Sequence, residues 1–79
     1  MTKYKITFYK VTDKNKTTTT RSLRSAIKLS LHWLSMLHRT LPPASRYRLQ
    51  KLEDGYGLCS VTHGCIATVT IQEIKNTFN

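Results

Sequence analysis

The stretch that most constrains this chain is residues 22–41, SLRSAIKLSLHWLSMLHRTL, the one segment long and periodic enough to demand a helix. Leu23, Ala26, Ile27, Leu34, Leu37 and Leu41 recur at three- and four-residue spacing, which gathers them on one side of a 3.6-residue period. The other side carries Arg24, Lys28, His32, Ser35 and Arg39. Ser22 is placed to cap the helix by accepting from a first-turn amide, although Ser25 replaces the Glu or Gln of a full capping box. Pro42-Pro43 ends it, because a proline restricts the residue before it and donates no hydrogen bond. About eighteen residues at 1.5 Å each reach roughly 27 Å, enough to lie across a small sheet.

That sheet is written on both sides of the helix. Residues 3–11, KYKITFYKV, alternate, with Tyr4, Ile6 and Phe8 pointing one way and Lys3, Lys5, Thr7 and Tyr9 the other. Turn residues Asp13 to Lys16 follow, and the β-branched run TTTTR at 17–21 is expected to pair back as an edge strand. After the prolines, 46–52 (RYRLQKL) and 56–61 (YGLCSV) read as strands around the hairpin dipeptide Asp54-Gly55. His63-Gly64 makes a second turn, and 65–71 (CIATVTI) is the clearest alternating strand.

A two-residue His-Gly loop sets Leu58 opposite Val69 and Ser60 opposite Ala67, so that Tyr56, Leu58, Ala67, Val69 and Ile71 share one face. Extended through Asp54-Gly55, the same register turns Tyr47, Leu49 and Lys51 inward and Leu52 outward, which calls for a bulge or longer loop near Glu53. The expected fold is therefore α+β in the order ββαβββ: an antiparallel sheet of four or five strands with one helix packed on one face. It forms one domain over 1–79, with 73–79 frayed.

Charge narrows the function. Thirteen Lys and Arg against four Asp and Glu give a formal charge of +9, and from Lys14 to Lys51 nine basic residues occur with no acid between them. Such a surface favours nucleic acid, an anionic membrane or an acidic protein face. Arg21, Arg24, Lys28, His32 and Arg39 fall in one sector opposite the leucines, and Lys14, Lys16, Arg46 and Arg48 are placed to extend the patch. Like charges four residues apart, as at Arg24 and Lys28, cost a helix about 0.2–0.5 kcal/mol. A helix shaped for stability alone would interleave acids.

Other chemistries are weaker. Tyr9, Val11, Cys59, Val61 and Ile66, with Lys3, Lys5 and Arg48, mark the far sheet face, but one aromatic makes a poor base-stacking platform. Cys59, His63 and Cys65 offer three zinc ligands where closure needs four, and the two thiols are expected to stay reduced in a cytosolic protein. No cysteine or histidine lies in a nucleophile motif, so binding is expected and catalysis is not; neither metal nor cofactor is called for. Trp33 and Met36, flanking the apolar stripe, read as core or core edge. A membrane role is disfavoured because the strands already give the helix's apolar side a home.

The layout KYKITFYKV, turn, TTTTRSLRSAIKLS, then RYRLQKL, YGLCSV and CIATVTI resembles the small phage-encoded anti-CRISPR proteins of ββαβββ build, and among them the type that binds the backbone subunits of the type I-F Cascade surveillance complex. The resemblance is one of element order, size and basic character. It implies a non-enzymatic inhibitor acting in the host cytoplasm as a monomer or weak dimer. Its partners would be the protein backbone subunits of a CRISPR-Cas nucleoprotein, with its guide RNA or target DNA. The other reading of the same residues is a stand-alone DNA- or RNA-binding module.

Overall fold

In the computed structural model, which describes residues 2–12, 15–43 and 46–75, the elements are β1 (Thr2–Lys10), β2 (Lys16–Thr20), α1 (Leu23–Arg39), β3 (Arg48–Leu52), β4 (Gly55–Ser60) and β5 (Gly64–Lys75). This is the expected ββαβββ fold. Five antiparallel strands lie in the order β2-β1-β5-β4-β3, and α1 packs across one face of β1, β5 and β4. The two longest strands form the centre, running from Thr2 opposite Lys75 to Lys10 opposite Ala67. Fraying from residue 73 is therefore corrected: Glu73, Ile74 and Lys75 pair with Tyr4, Lys3 and Thr2, and 76–79 lie outside the described residues.

Alternation builds the core. Ile6 and Phe8 from β1, Leu58 from β4, and Ala67 and Val69 from β5 meet Ala26 and Leu34 of α1, all buried. Tyr4, Tyr47, Tyr56, Ile71, Trp33 and Leu37 pack around them. Ala26 and Ser30 are small where the helix comes down on the sheet, and the buried Ser30 hydroxyl donates to the Ala26 carbonyl at 2.7 Å, so no polar atom is stranded there. Leu23, assigned inward by period, is 47% exposed: it stands in the first turn, at a hollow bordered by Glu53 and Asp54. The cap is as expected: the Ser22 hydroxyl accepts from the Ser25 amide at 3.1 Å and donates to the Ser25 hydroxyl at 2.9 Å.

The hairpins correct the turn assignments while keeping the faces. Leu52 pairs with Gly55, so Glu53-Asp54 is the two-residue turn and Gly55 belongs to β4. Leu49 then faces Leu58 and Lys51 faces Tyr56, a shift of two residues from the expected pairing, which preserves every facing direction and needs no bulge near Glu53. In the second hairpin the turn covers residues 61–63, and Gly64, at φ +70°, pairs with Ser60. An odd-length turn would swing Thr68 and Thr70 into the core. A bulge at Ile66, between the Cys59–Cys65 and Leu58–Ala67 pairs, restores Ala67, Val69 and Ile71 to the helix side.

That bulge also decides the cysteines. It sets Cys65 directly opposite Cys59, and the two are joined by a disulfide, so the expectation of reduced thiols is corrected. On the far face Gly57 leaves room for both Leu52 and the bridge: a Cβ there would stand 2.8 Å from Leu52 Cδ1 and 3.0 Å from Cys59 Sγ. The bridge closes a short loop, for which the chain-entropy account gives about 2 kcal/mol. Urea melts of the double variant Cys59→Ser/Cys65→Ser are expected to show that loss with the fold intact; an unchanged midpoint would mean that the bridge adds nothing to stability.

Candidate functional site

Among the described residues, the helix back assembles four of the nine sequence-marked cations. Arg24, Lys28, His32 and Arg39 are all exposed, within an arc of about 80° at 100° per residue and along about 22 Å of axis. Arg21 is exposed too, but it precedes the N-cap Ser22, whose φ of −136° is extended, so the β2–α1 junction rather than the helix period places it. The first turn holds no acid, and the partial positive charge of the helix N-terminus adds to Arg24. In the last turn His38 and Arg39 offset the opposite end of the dipole.

The described acids are placed elsewhere. Glu53 and Asp54 form the β3–β4 turn and border a hollow with Leu23 and Ile27, while Asp54 and Glu73 line another beside Thr70 and Gln72. The first of these hollows lies against the N-terminal turns of α1. The helix itself carries no acid from Lys28 to Arg39.

The remaining marked residues divide. Lys16 is exposed on β2 opposite Phe8, hence on the helix side of the sheet. Lys14 lies outside the described residues. Arg46 is exposed just before β3 in the left-handed region at φ 58°, a conformation that costs a non-glycine residue about 1–2 kcal/mol. Arg48 faces Cys59 on the far side of the sheet, so it does not extend the helix patch, because alternation along β3 carries it away from Leu49.

The far face does not gather into a platform. Tyr9 is 44% exposed there, Val11 and Val61 project into solvent, Cys59 is buried in the bridge, and Ile66 packs against the core cluster instead of joining them. Among the described residues, no group of three or more His, Cys, Asp or Glu is placed to hold a metal ion. No helix of the described residues is long and apolar enough to cross a membrane.

Sequence reasoning missed a second feature at the other end of the helix. A groove of about 250 Å³ opens between α1 and the β1–β2 edge, floored by Phe8, Trp33, Met36 and Leu37 and rimmed by Lys10, Lys16 and Thr40. The signal was present in β1, where Lys10 takes the inward place that follows Ile6 and Phe8 in the alternation. Comparison with known proteins finds no matching family model, curated protein or solved structure.

Proposed function

We propose that this protein is a non-enzymatic binding protein that docks through the back of α1 on the polyanionic surface of a nucleoprotein. The observation that carries the reading is the row Arg24, Lys28, His32 and Arg39, exposed on one arc of a helix whose other side is spent on the core. Guanidinium groups pair bidentately with phosphate or carboxylate, and Lys28 adds a point charge. The element order resembles that of anti-CRISPR proteins, and so the proposed target is the type I-F Cascade complex in the host cytoplasm. Binding there would keep target DNA from the guide by occupying its path. In that compartment the Cys59–Cys65 bridge is exposed to reduction, and the fold is expected to hold without it.

A gel-shift assay with purified type I-F Cascade and its target DNA tests this. A molar excess of the protein is expected to abolish the DNA complex, and an undiminished shift would refute inhibition of Cascade. The double variant Lys28→Glu/Arg39→Glu is expected to lose the effect with its melting temperature unchanged, since both side chains are exposed.

The second reading, a stand-alone nucleic-acid-binding module, is favoured by the lack of any acid in the first helical turn beside Arg24. It requires affinity for plain DNA or RNA that falls with salt at a log–log slope of about −4 for four neutralised phosphates. Salt-insensitive or absent binding would exclude it.

A further inference from the structure

We propose that the groove between α1 and the β1–β2 edge is a second docking site, which takes a single aromatic side chain presented by an acidic protein segment. This does not rest on the function proposed above, because the groove's helix residues lie to one side of the basic arc and its other walls are strands.

The size sets the first limit. About 250 Å³ is below the roughly 300–1,000 Å³ of pockets that enclose drug-sized ligands, and it suits one side chain. The floor is apolar and already aromatic: Phe8 and Trp33 meet at 4.9 Å between ring centres with planes tilted by 38°, and Met36 beside them is 52% exposed. Phe8 is buried beneath, so a ring entering the groove would extend an aromatic pair, an arrangement that adds about 0.5–1.5 kcal/mol beyond area alone. Met36 on the groove wall can re-pack around an incoming ring.

Charge selects the segment that carries the ring. Lys16 stands opposite Phe8 in the β1–β2 register, so its charge flanks the opening, Lys10 lines the groove two residues beyond Phe8 on β1, and none of the described lining residues is acidic. On a chain of net charge +9, carboxylates on either side of the aromatic residue complement this rim.

An unpaired nucleobase fits less well. Its edge carries donors and acceptors, and the groove offers few partners: the Thr40 hydroxyl is committed to the Leu37 carbonyl at 2.6 Å, and lysines can only donate. Leaving such groups unpaired on burial costs about 1–3 kcal/mol each.

Trp33 is the chain's one tryptophan, so its fluorescence reports on the groove directly. Three probes are titrated against the intact protein: a synthetic peptide with one phenylalanine between runs of Glu and Asp, the same peptide with that residue changed to alanine, and a single-stranded oligothymidine. The phenylalanine peptide is expected to shift Trp33 emission saturably and to bind at least about tenfold more tightly than the alanine peptide, as anchors in buried pockets do. Met36→Glu places a like charge against the acidic peptide, and Lys16→Glu reverses the rim. Each should weaken peptide binding by about tenfold or more while leaving the circular dichroism unchanged, since both positions are exposed.

Equal binding of the two peptides, wild-type affinity in Met36→Glu, or a saturable Trp33 shift with oligothymidine but not with peptide would each overturn the proposal. None of these outcomes bears on Cascade inhibition, which is read from a different surface by a different assay.

Discussion

Replacing Gly55 with alanine is expected to destabilise the protein by about 3 kcal/mol or more and to disorder the β3–β4 hairpin. Gly55 pairs with both Leu52 and Thr70, between the turn and β5, and a Cβ at this position would run into the Val69 carbonyl, with Val69 C at 3.0 Å and Thr70 Cα at 3.1 Å. All three atoms are backbone of the central strand, so no rotamer change relieves the contact. Overpacking a core commonly costs about 1–3 kcal/mol when side chains can shift, and here only the strand itself can move. Its movement would disturb the hydrogen bond from the Ile71 amide to the Asp54 carbonyl at 2.8 Å, which ties the turn to β5.

The matched control is Gly64→Asn. Gly64 has open space around it but φ of +70°, a conformation that asparagine tolerates better than most residues, so a loss under about 1 kcal/mol is expected there. Denaturant melts of the two variants measure the contrast. Equal losses would mean that the close approach at Gly55 costs no more than the left-handed backbone at Gly64.

The same residue shows where the sequence could be read and where it could not. Asp54-Gly55 looks like a two-residue hairpin loop, yet the turn is Glu53-Asp54 and the glycine serves the neighbouring strand, a demand made by a contact distant in sequence. The faces of β3 survived this error because side-chain direction repeats every two residues and the pairing moved by two. The helix was legible except at its ends, where Leu23 is exposed and the last turn closes at Arg39 with Thr40 as cap; its Ser22 cap and 3.6-residue period are local, and for the same reason Arg24, Lys28, His32 and Arg39 could be grouped from sequence.

Arg48 could not be grouped correctly by nearness along the chain, because a strand sends neighbours to opposite faces. The bridge between Cys59 and Cys65 was hidden by a bulge at Ile66, a residue that looks like any other in an alternating strand. Lys10 was overlooked because a lysine in an inward place reads as a strand end until Trp33, Met36 and Lys16 are seen around it.

Leu34→Ala is the second change expected to weaken the fold severely, by about 2–5 kcal/mol. Leu34 is fully buried, one turn beyond Ser30 and two beyond Ala26, and it is the large side chain of that row. The two small residues let the helix approach the sheet, and Leu34 fills what lies beyond them, against a cluster of Ile6, Phe8, Leu58, Ala67 and Val69. Truncation removes its transfer energy and leaves a cavity whose walls belong to both layers, so closing it would require the helix to tilt. A domain of this length is stable by about 4–12 kcal/mol in all, so the loss is a large share, and the melting temperature should fall by more than about 10 °C.

Leu29→Ala on the same helix, 37% exposed, removes the same atoms and is expected to cost under about 1 kcal/mol. A thermal melt of each variant decides whether α1 is held by this one buried row. If Leu29→Ala were the more damaging of the two, the helix back would be covered by something other than water in the purified protein, and the basic face beside it would have to be reassigned from a docking surface to an interface between copies.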